Sequence, residues 1–343
     1  MIKDTYHKSR ALFNIINKDI KDGFPISILD KIALWRKGFL AEKYSLYELY
    51  KNDSGNYLSD YQTSMARWIN EPFNEILTNK FIFSEVVGNY FKVPKTYGIF
   101  IQGIFYPSPN ESSIKGLFER LDSFVVKPTN GGGGKGVYII KKSNSSFILN
   151  DKTKYTEEEL EIFFSSLDNF ILTEFIEQSD FALSLNPTSV NTMRILTLID
   201  PITKEPFIAR AVQRIGTSAS APQDNFTKGG VSALINLKTG VLSDATAHPK
   251  SAKHIRLSHH PDSNIKIEGI TIPNWDQIRI EILTAAKQLP MLKCVGWDFV
   301  LSKNGLMAIE GNHHPDPDVL QAHGPLLTDD RIRAFYKYYN IIK

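Results

Sequence analysis

Two groups of residues in this sequence have the types and spacing to do chemistry. The first is Phe124 to Tyr138, FVVKPTNGGGGKGVY, where an apolar run ends in Lys127 and four glycines lead through Lys135-Gly136 into a second apolar run. Glycine serves where the backbone needs a positive φ or must approach a ligand closely. Successive glycines let N–H groups converge on an anion, here with a lysine on either side. The second is CVGWDFVLSKNGLMAIEGN, with Asp298, Glu310 and Asn312 in otherwise apolar strands. Acids in such strands are costly to bury unless they are paired or hold a cation.

The glycine loop fails one familiar motif and fits another only in part. A Walker loop needs G-x-x-x-x-G-K-[ST] opening a helix. Gly131 and Gly136 have that spacing, but Val137 follows where the lysine belongs. Gly131, Gly133 and Gly136 match G-x-G-x-x-G, yet VYIIKK is β-branched and aromatic and reads as a strand, not the helix of a dinucleotide loop. A glycine loop between antiparallel strands is a phosphate flap of the kind kinases use. The kinase His-Arg-Asp and Asp-Phe-Gly are absent, because Asp298-Phe299 is followed by Val300.

For the acidic hairpin, a three-residue turn Lys303-Asn304-Gly305 is expected to set Asp298 opposite Glu310. Alternation then puts Asn312 on the face of Glu310, with Trp297, Phe299, Met307 and Ile309 on the other. Hard oxygen donors without thiolates suit Mg²⁺. His313-His314-Pro315-Asp316-Pro317-Asp318 follows at once. Its prolines stiffen it, and adjacent histidines of an extended chain point apart, so it reads as a substrate-facing loop rather than a zinc site.

The elements that must position these groups follow from the rest of the chain. Its 343 residues suffice for two or three domains, and 42% hydrophobic with 22% charged residues is a globular composition. A net charge of +3 gives no nucleic-acid footprint. The single cysteine, Cys294, excludes an internal disulfide, and its apolar setting makes it a buried small residue. MIKDTYHKSR lacks an apolar signal core, and no run of about 18 apolar residues occurs, so the expected location is the cytoplasm, without membrane insertion.

Residues 1–78 read as helical. ALFNIINKDI and ILDKIALWRKGFL carry three- and four-residue apolar spacing, and the stripe Tyr44, Tyr47, Tyr50 is expected in the core. Beyond Pro72, a helix precedes VPKTYGIFIQGIF, read as one or two strands, and a short helix follows in IKGLFERLD. Thr156 and Glu159 form a capping box on an acidic helix. NFILTEFIEQ, SVNTMRILTLID and PFIARAVQRIG read as strands, VSALINL with VLSDATA as a hairpin, and NWDQIRIEILTAAKQL and TDDRIRAFYKYYNII as helices. The class is α+β with antiparallel hairpins, not a doubly wound sheet.

In that order, VVKPTNGGGGKGV, ILTEFIEQ, NTMRILT, DNFTKGG, VGWDFVL, IEGNHHPD and HGPLL resemble the ATP-grasp superfamily, over about residues 79–327. The closest resemblance is to its sugar-transfer-associated branch, related to glutamate-ligase-like amino-acid ligases. The resemblance implies an ATP-grasp fold, two α+β subdomains clasping ATP, after an N-terminal helical region 1–78. It divides 79–343 into a region before the ATP site (79–120), a flap or lid (121–180) and a metal and substrate part (181–343).

The roles implied by position are these. Lys127 contacts the α- and β-phosphates. Gly131, Gly132, Gly133, Gly134 and Gly136 close over the β- and γ-phosphates, with Lys135 as an auxiliary. Glu174, Phe175 and Ile176 form the hinge that reads adenine, and Glu177 and Asp180 are both candidates for the ribose. Asp298, Glu310 and Asn312 hold Mg²⁺, expected as two ions. Arg194 neutralises the transferring phosphoryl group. Arg210 and Arg214 lie on one strand face at i, i+4, and guanidinium forks suit carboxylates and phosphates, so they join Arg194 as candidates for the acceptor carboxylate.

The implied reaction activates a carboxylate with ATP and passes its acyl-phosphate to an amine. Expected substrates are a small carboxylate and an amine, with a sugar nucleotide or saccharide as a further candidate partner, in surface-polysaccharide synthesis. Asp224-Asn225 and Lys228-Gly229-Gly230 read as a second substrate loop. A phosphotransferase and a non-catalytic nucleotide-binding module are the competing expectations.

Overall fold

The computed structural model describes residues 2–144, 146–150, 152–251, 256–315 and 317–343. The chain forms two compact units. The first comprises Met1–Glu71, Asp180–Val300 and Asn312–Lys343, and the second Pro72–Ser179 with Leu301–Gly311.

The first unit starts with helices α1 (Ile2–Asp22), α2 (Ile28–Arg36), α3 (Lys43–Leu46) and α4 (Asp60–Ala66). Ser27 caps α2 by accepting from the Asp30 N–H, and Ser59 with Gln62 closes a capping box on α4. The helical stretch read as an N-terminal region shares one core with the later part of this unit. Leu34, Phe39, Leu46 and Tyr57 pack in the same cluster as Leu196, Leu198, Phe207 and Phe335. The tyrosine stripe is split. Tyr47 is buried and stacks on Tyr57 at 4.9 Å, Tyr44 is half-buried, and Tyr50 is 57% exposed.

A buried ion cluster joins this stretch to the end of the chain. Lys43 Nζ lies 2.8 Å from Glu42, 2.7 Å from Asp318 and 3.4 Å from Asp60. The Tyr47 hydroxyl donates to Asp318 at 3.0 Å. Burial alone would lower the Lys43 pKa, but Asp318, Asp60 and Glu42 outweigh it and hold it well above the ordinary lysine value. Glu42, His248 and Asp318 come within 4.8 Å of one another, with Lys43 and Lys250 supplying counter-charge to the carboxylates.

The second unit contains α5 (Glu75–Thr78), α6 (Lys80–Val87), β1 (Thr96–Ile101), β2 (Ile104–Pro107), α7 (Ile114–Arg120), β3 (Ser123–Pro128) and β4 (Tyr138–Ser143). β5 (Ser146–Leu149), β6 (Thr153–Tyr155), α8 (Glu157–Ser165) and β7 (Phe170–Glu174) continue it. Its antiparallel sheet has the order β2-β1-β7-β3-β4-β5-β6. Phe100, Phe118, Phe124, Phe147 and Phe164 fill its core. The capping box of Thr156 and Glu159 opens α8, and β3 pairs with β4 across the glycine loop, both as expected from the sequence.

The first unit resumes with α9 (Asp180–Leu185), β8 (Thr192–Ile199), β9 (Pro206–Ile215), β10 (Val231–Ile235), β11 (Leu242–Ala247) and β12 (Arg256–Leu257). α10 (Trp275–Lys287), β13 (Cys294–Ser302), β14 (Gly305–Asn312), α11 (Pro317–Gln321) and α12 (Asp330–Tyr338) follow, with most of β14 assigned to the second unit. The second sheet has the order β12-β11-β10-β9-β8-β13-β14. The α+β class with antiparallel hairpins is borne out. Two short helices escaped the sequence reading, α9 and α11. α11 starts at Pro317 inside the segment read as extended, because proline is pre-organised for the first helical position. Asp316, read as part of that segment, lies outside the described residues.

Candidate active site

In the second unit, Lys127 stands on β3 opposite Ile171 of β7. Its pKa is lowered to about 8, first by burial and then by Lys80, with Glu310 opposing. The loop after it takes positive φ at Gly131 (109°), Gly133 (65°), Gly134 (68°) and Gly136 (70°), a path that side-chain-bearing residues enter only under strain. Space is open around Gly131 and Gly132, and Lys135 is exposed.

Lys80 is a candidate site residue that the sequence reading did not name. Asn79 caps α6, accepting from the N–H groups of Phe81 at 3.0 Å and Ile82 at 3.2 Å, so Lys80 is the first helical residue. Its backbone N–H donates to Thr129 O at 2.7 Å. Its Nζ donates to the Gly131 carbonyl at 2.7 Å and lies 4.0 Å from Glu310. The available signal was a cation in the first turn of a helix, where the dipole disfavours it. Lysines gathered around one glycine loop suit a polyanion.

β7 ends at Glu174, whose N–H donates to Lys95 O at 2.8 Å while its Oε2 accepts the Lys95 N–H at 3.2 Å. Glu174 also edges a cavity of about 500 Å³ shared with Tyr90, Lys92, Asn304 and Met307. The Phe175 ring has Lys141 Nζ at 5.8 Å, and Ile176 is half-buried. Of the two ribose candidates, Glu177 pairs with Lys303 at 2.7 Å. Asp180 is exposed at the start of α9, in the first unit.

In the first unit the register places Asp298 on β13 directly beside Arg194 on β8. Arg194 grips it as a fork, Nε to Oδ1 at 2.6 Å and Nη2 to Oδ2 at 3.1 Å. Arg214 Nη2 lies 3.5 Å from Asp298 and 3.0 Å from Asp224. Burial alone would raise the Asp298 pKa, but Arg194 and then Arg214 outweigh it and hold it below the usual carboxylate value. Asp224 in turn accepts from the Thr192 N–H at 2.7 Å and its hydroxyl at 2.6 Å. The loop residue read as substrate-facing is thus an anchor for the arginine. Asn312 donates to Gly296 O at 3.2 Å, which leaves its side-chain oxygen as a donor atom for a cation. Gly296 makes room here, since a Cβ there would sit 2.7 Å from the Pro315 Cβ.

Arg210 departs from the sequence reading. It shares a strand with Arg214 but donates to the carbonyls of Leu320 (3.3 Å), Gly324 (3.3 Å) and Pro325 (3.0 Å). Four residues of strand span about 13 Å, enough to carry it out of the Asp298 cluster. It braces the loop after α11. The structure therefore brings together Arg194, Arg214 and Asp298 in the first unit, with Asn312 bonded beside them. In the second unit it brings together Lys80, Gly131 and Glu310.

The family described as sugar-transfer associated ATP-grasp matches residues 62–330. No curated protein matches the sequence significantly. Among solved structures, the ADP complex of purK, an N5-carboxyaminoimidazole ribonucleotide synthetase, is similar at 11% identity and a TM-score of 0.42, over 76% of this chain and 52% of that one. The VanG D-Ala:D-Ser ligase from Enterococcus faecalis is similar at 15% identity and a TM-score of 0.38, over 76% and 61%. The ATP-grasp ligase PsnB, complexed with a phosphomimetic variant of its minimal precursor, Mg and ADP, is similar at 12% and 0.39, over 78% and 61%. The chain spans about half of the first of these proteins and about three fifths of the other two. Since the matched span takes in both the glycine loop and the Asp298 strand and covers well over half of its length, this chain is a member of the sugar-transfer-associated ATP-grasp family.

Proposed function

We propose that the protein is an ATP-dependent carboxylate–amine ligase that works through an acyl-phosphate. Its products are amides or peptides of an amino acid or amine with a sugar acid or other small carboxylate, used in surface-polysaccharide synthesis. The observation that carries the reading is the anchoring of the glycine flap. Lys80 Nζ holds the Gly131 carbonyl at 2.7 Å and stands 4.0 Å from Glu310, with Lys127 on the strand that enters the same loop. That arrangement suits the triphosphate end of ATP.

The roles divide by unit. In the second, Lys80, Lys127 and the Gly131–Gly136 flap hold phosphates, Lys135 assists, and Glu174, Phe175 and Ile176 frame the base; the ribose acid is Glu177, or Asp180 of the first unit. In the first, Arg194 and Arg214 neutralise charge that builds on the transferring phosphoryl group and orient the acceptor carboxylate. Asp298, Glu310 and Asn312 offer two carboxylates and an amide oxygen, a donor set that fits Mg²⁺. An ion held by these residues would supply positive charge against the phosphates. Both Asp298 oxygens already accept from the Arg194 guanidinium, so a cation bound there would have to share that carboxylate with the arginine.

In the reaction, a carboxylate oxygen attacks the γ-phosphorus, ADP leaves, and an acyl-phosphate forms. The amine nitrogen then attacks the acyl carbon and phosphate leaves with the C–O bonding electrons. The flap shields the acyl-phosphate from water. Hydroxylamine tests the reading. With ATP and a panel of amino acids and uronic acids, the ligase yields a hydroxamate and ADP. ADP without hydroxamate would mark a phosphotransferase acting on a hydroxyl, and ATP binding without any ADP a non-catalytic module.

A further inference from the structure

The helices that precede the family match carry more apolar surface than the fold uses. At 100° per residue, with Ile15 as origin, Leu12, Ile16, Ile20 and Phe13 of α1 fall at about 60°, 100°, 140° and 160°. Packing takes only the near edge of this arc. Ile15 is 8% exposed and Leu12 and Ile16 are half-buried, whereas Phe13 and Ile20 are each 62% exposed. The same holds for α2, which buries Leu34 and turns outward Ile28 (62%), Leu29 (76%) and Ile32 (37%). Five of the large apolar side chains left in solvent therefore fall within twenty residues, on helices joined by the bond from Trp35 Nε1 to Asp19 at 2.7 Å.

The charge around these faces is positive. Lys18, Lys21, Lys31 and Arg36 make no ion pair among the described residues, and Lys18 and Lys21 fill the polar arc of α1 beside its apolar one. The described acids of the same stretch are engaged. Asp19 accepts from Trp35 and from the Ala41 N–H, Asp22 pairs with Lys250 at 2.9 Å, and Asp30 accepts from Ser27 at 2.6 Å. An apolar arc with lysines on the opposite, polar arc is the pattern of a helix that lies in a membrane interface. Among the described residues no helix is long and apolar enough to cross a membrane.

We propose that the outward faces of α1 and α2 dock the protein on a bilayer containing anionic lipid. The apolar side chains enter the boundary between headgroups and acyl chains, and the lysines meet lipid phosphates. A second copy is the poorer occupant, because it would set these cations against their own kind. The attachment is peripheral and reversible, and it leaves the catalytic residues named above untouched.

Flotation of the full chain on vesicles tests this. Binding is expected to vesicles of phosphatidylcholine with phosphatidylglycerol, not to phosphatidylcholine alone, and to weaken at high salt. Phe13→Ser with Ile20→Ser, or Ile28→Ser with Leu29→Ser, should weaken binding at least about tenfold, with the circular dichroism spectrum and melting temperature retained. Lys18→Glu with Lys21→Glu should do the same through charge. Absence of flotation on the vesicles that contain phosphatidylglycerol overturns the proposal, as does undiminished flotation of the serine variants. A concentration-dependent dimer that those variants abolish would overturn it in favour of a second copy.

Discussion

Raising the pH from 7 to 9 should weaken Mg-ATP binding through one residue, Lys127. A lysine at its ordinary pKa of about 10.4 stays charged across that range. Lys127 is lowered to about 8, by burial first and by the positive charge of Lys80 second. Its protonated fraction then falls from about nine tenths at pH 7 to about one tenth at pH 9. If only the ammonium holds phosphate oxygen, affinity falls nearly tenfold, about 1.3 kcal/mol. The sign reverses for the free protein. A base whose folded pKa lies below its unfolded value adds stability as pH rises from about 8 toward 10.4, so the melting temperature and the nucleotide affinity should move in opposite directions. The assay is calorimetric titration with Mg-ATP at several pH values, in two buffers of different ionisation enthalpy to count protons taken up. Lys127→Arg keeps the charge and should flatten the profile. Lys80→Met removes a like charge and should move the midpoint upward, while weakening binding at every pH. A flat profile in the parent protein, or a drop that persists in Lys127→Arg, refutes the reasoning.

Three further outcomes follow from the geometry. Lys43→Met strands Glu42, Asp60 and Asp318 without their buried cation and should cost about 3–5 kcal/mol, read as a melting temperature lower by several degrees. Burial raises the Glu42 pKa, but Lys43 and Lys250 outweigh it and hold it at about 2. That stabilisation is present above about 4.5 and lost as pH falls through about 2, so the deficit of Lys43→Met should narrow on the acid side. Arg210→Met frees three carbonyls and should lower stability by about 1–3 kcal/mol while the KM for ATP holds, as a brace and not a substrate ligand would. Asp298→Ala leaves the Arg194 guanidinium, 7% exposed, without its fork partner. It should abolish ADP release and cost about 3–5 kcal/mol, with Asp298→Asn restoring most of the stability and none of the turnover.

What could be read from the sequence was what residue type and local spacing carry. The flap was legible because four glycines sit between β-branched runs, and its φ values show why other residues would not serve. Asp298 stood out as an acid in an apolar strand, though the arginines that hold it lie on other strands. Arg210 and Arg214 look alike from the sequence, and only the loop from Leu320 to Pro325 separates their roles. Lys80 could not be tied to Gly131, nor Lys43 to Asp318, because no local pattern encodes contacts made far apart in the chain. The helical stretch 1–78 was readable as helices and unreadable as part of a shared core, since periodicity shows that a face is buried but not against what.

The central claim is that ATP activates a carboxylate, and oxygen-18 tests it most directly. Once ADP release has identified an acid and amine pair, the acid is labelled in its carboxylate and the inorganic phosphate is analysed by mass. Attack of that carboxylate on the γ-phosphorus leaves one carboxylate oxygen in the phosphate when the amine displaces it, so the account predicts one labelled oxygen per phosphate released. Unlabelled phosphate, or a stable phosphorylated acceptor with no amide, would contradict it.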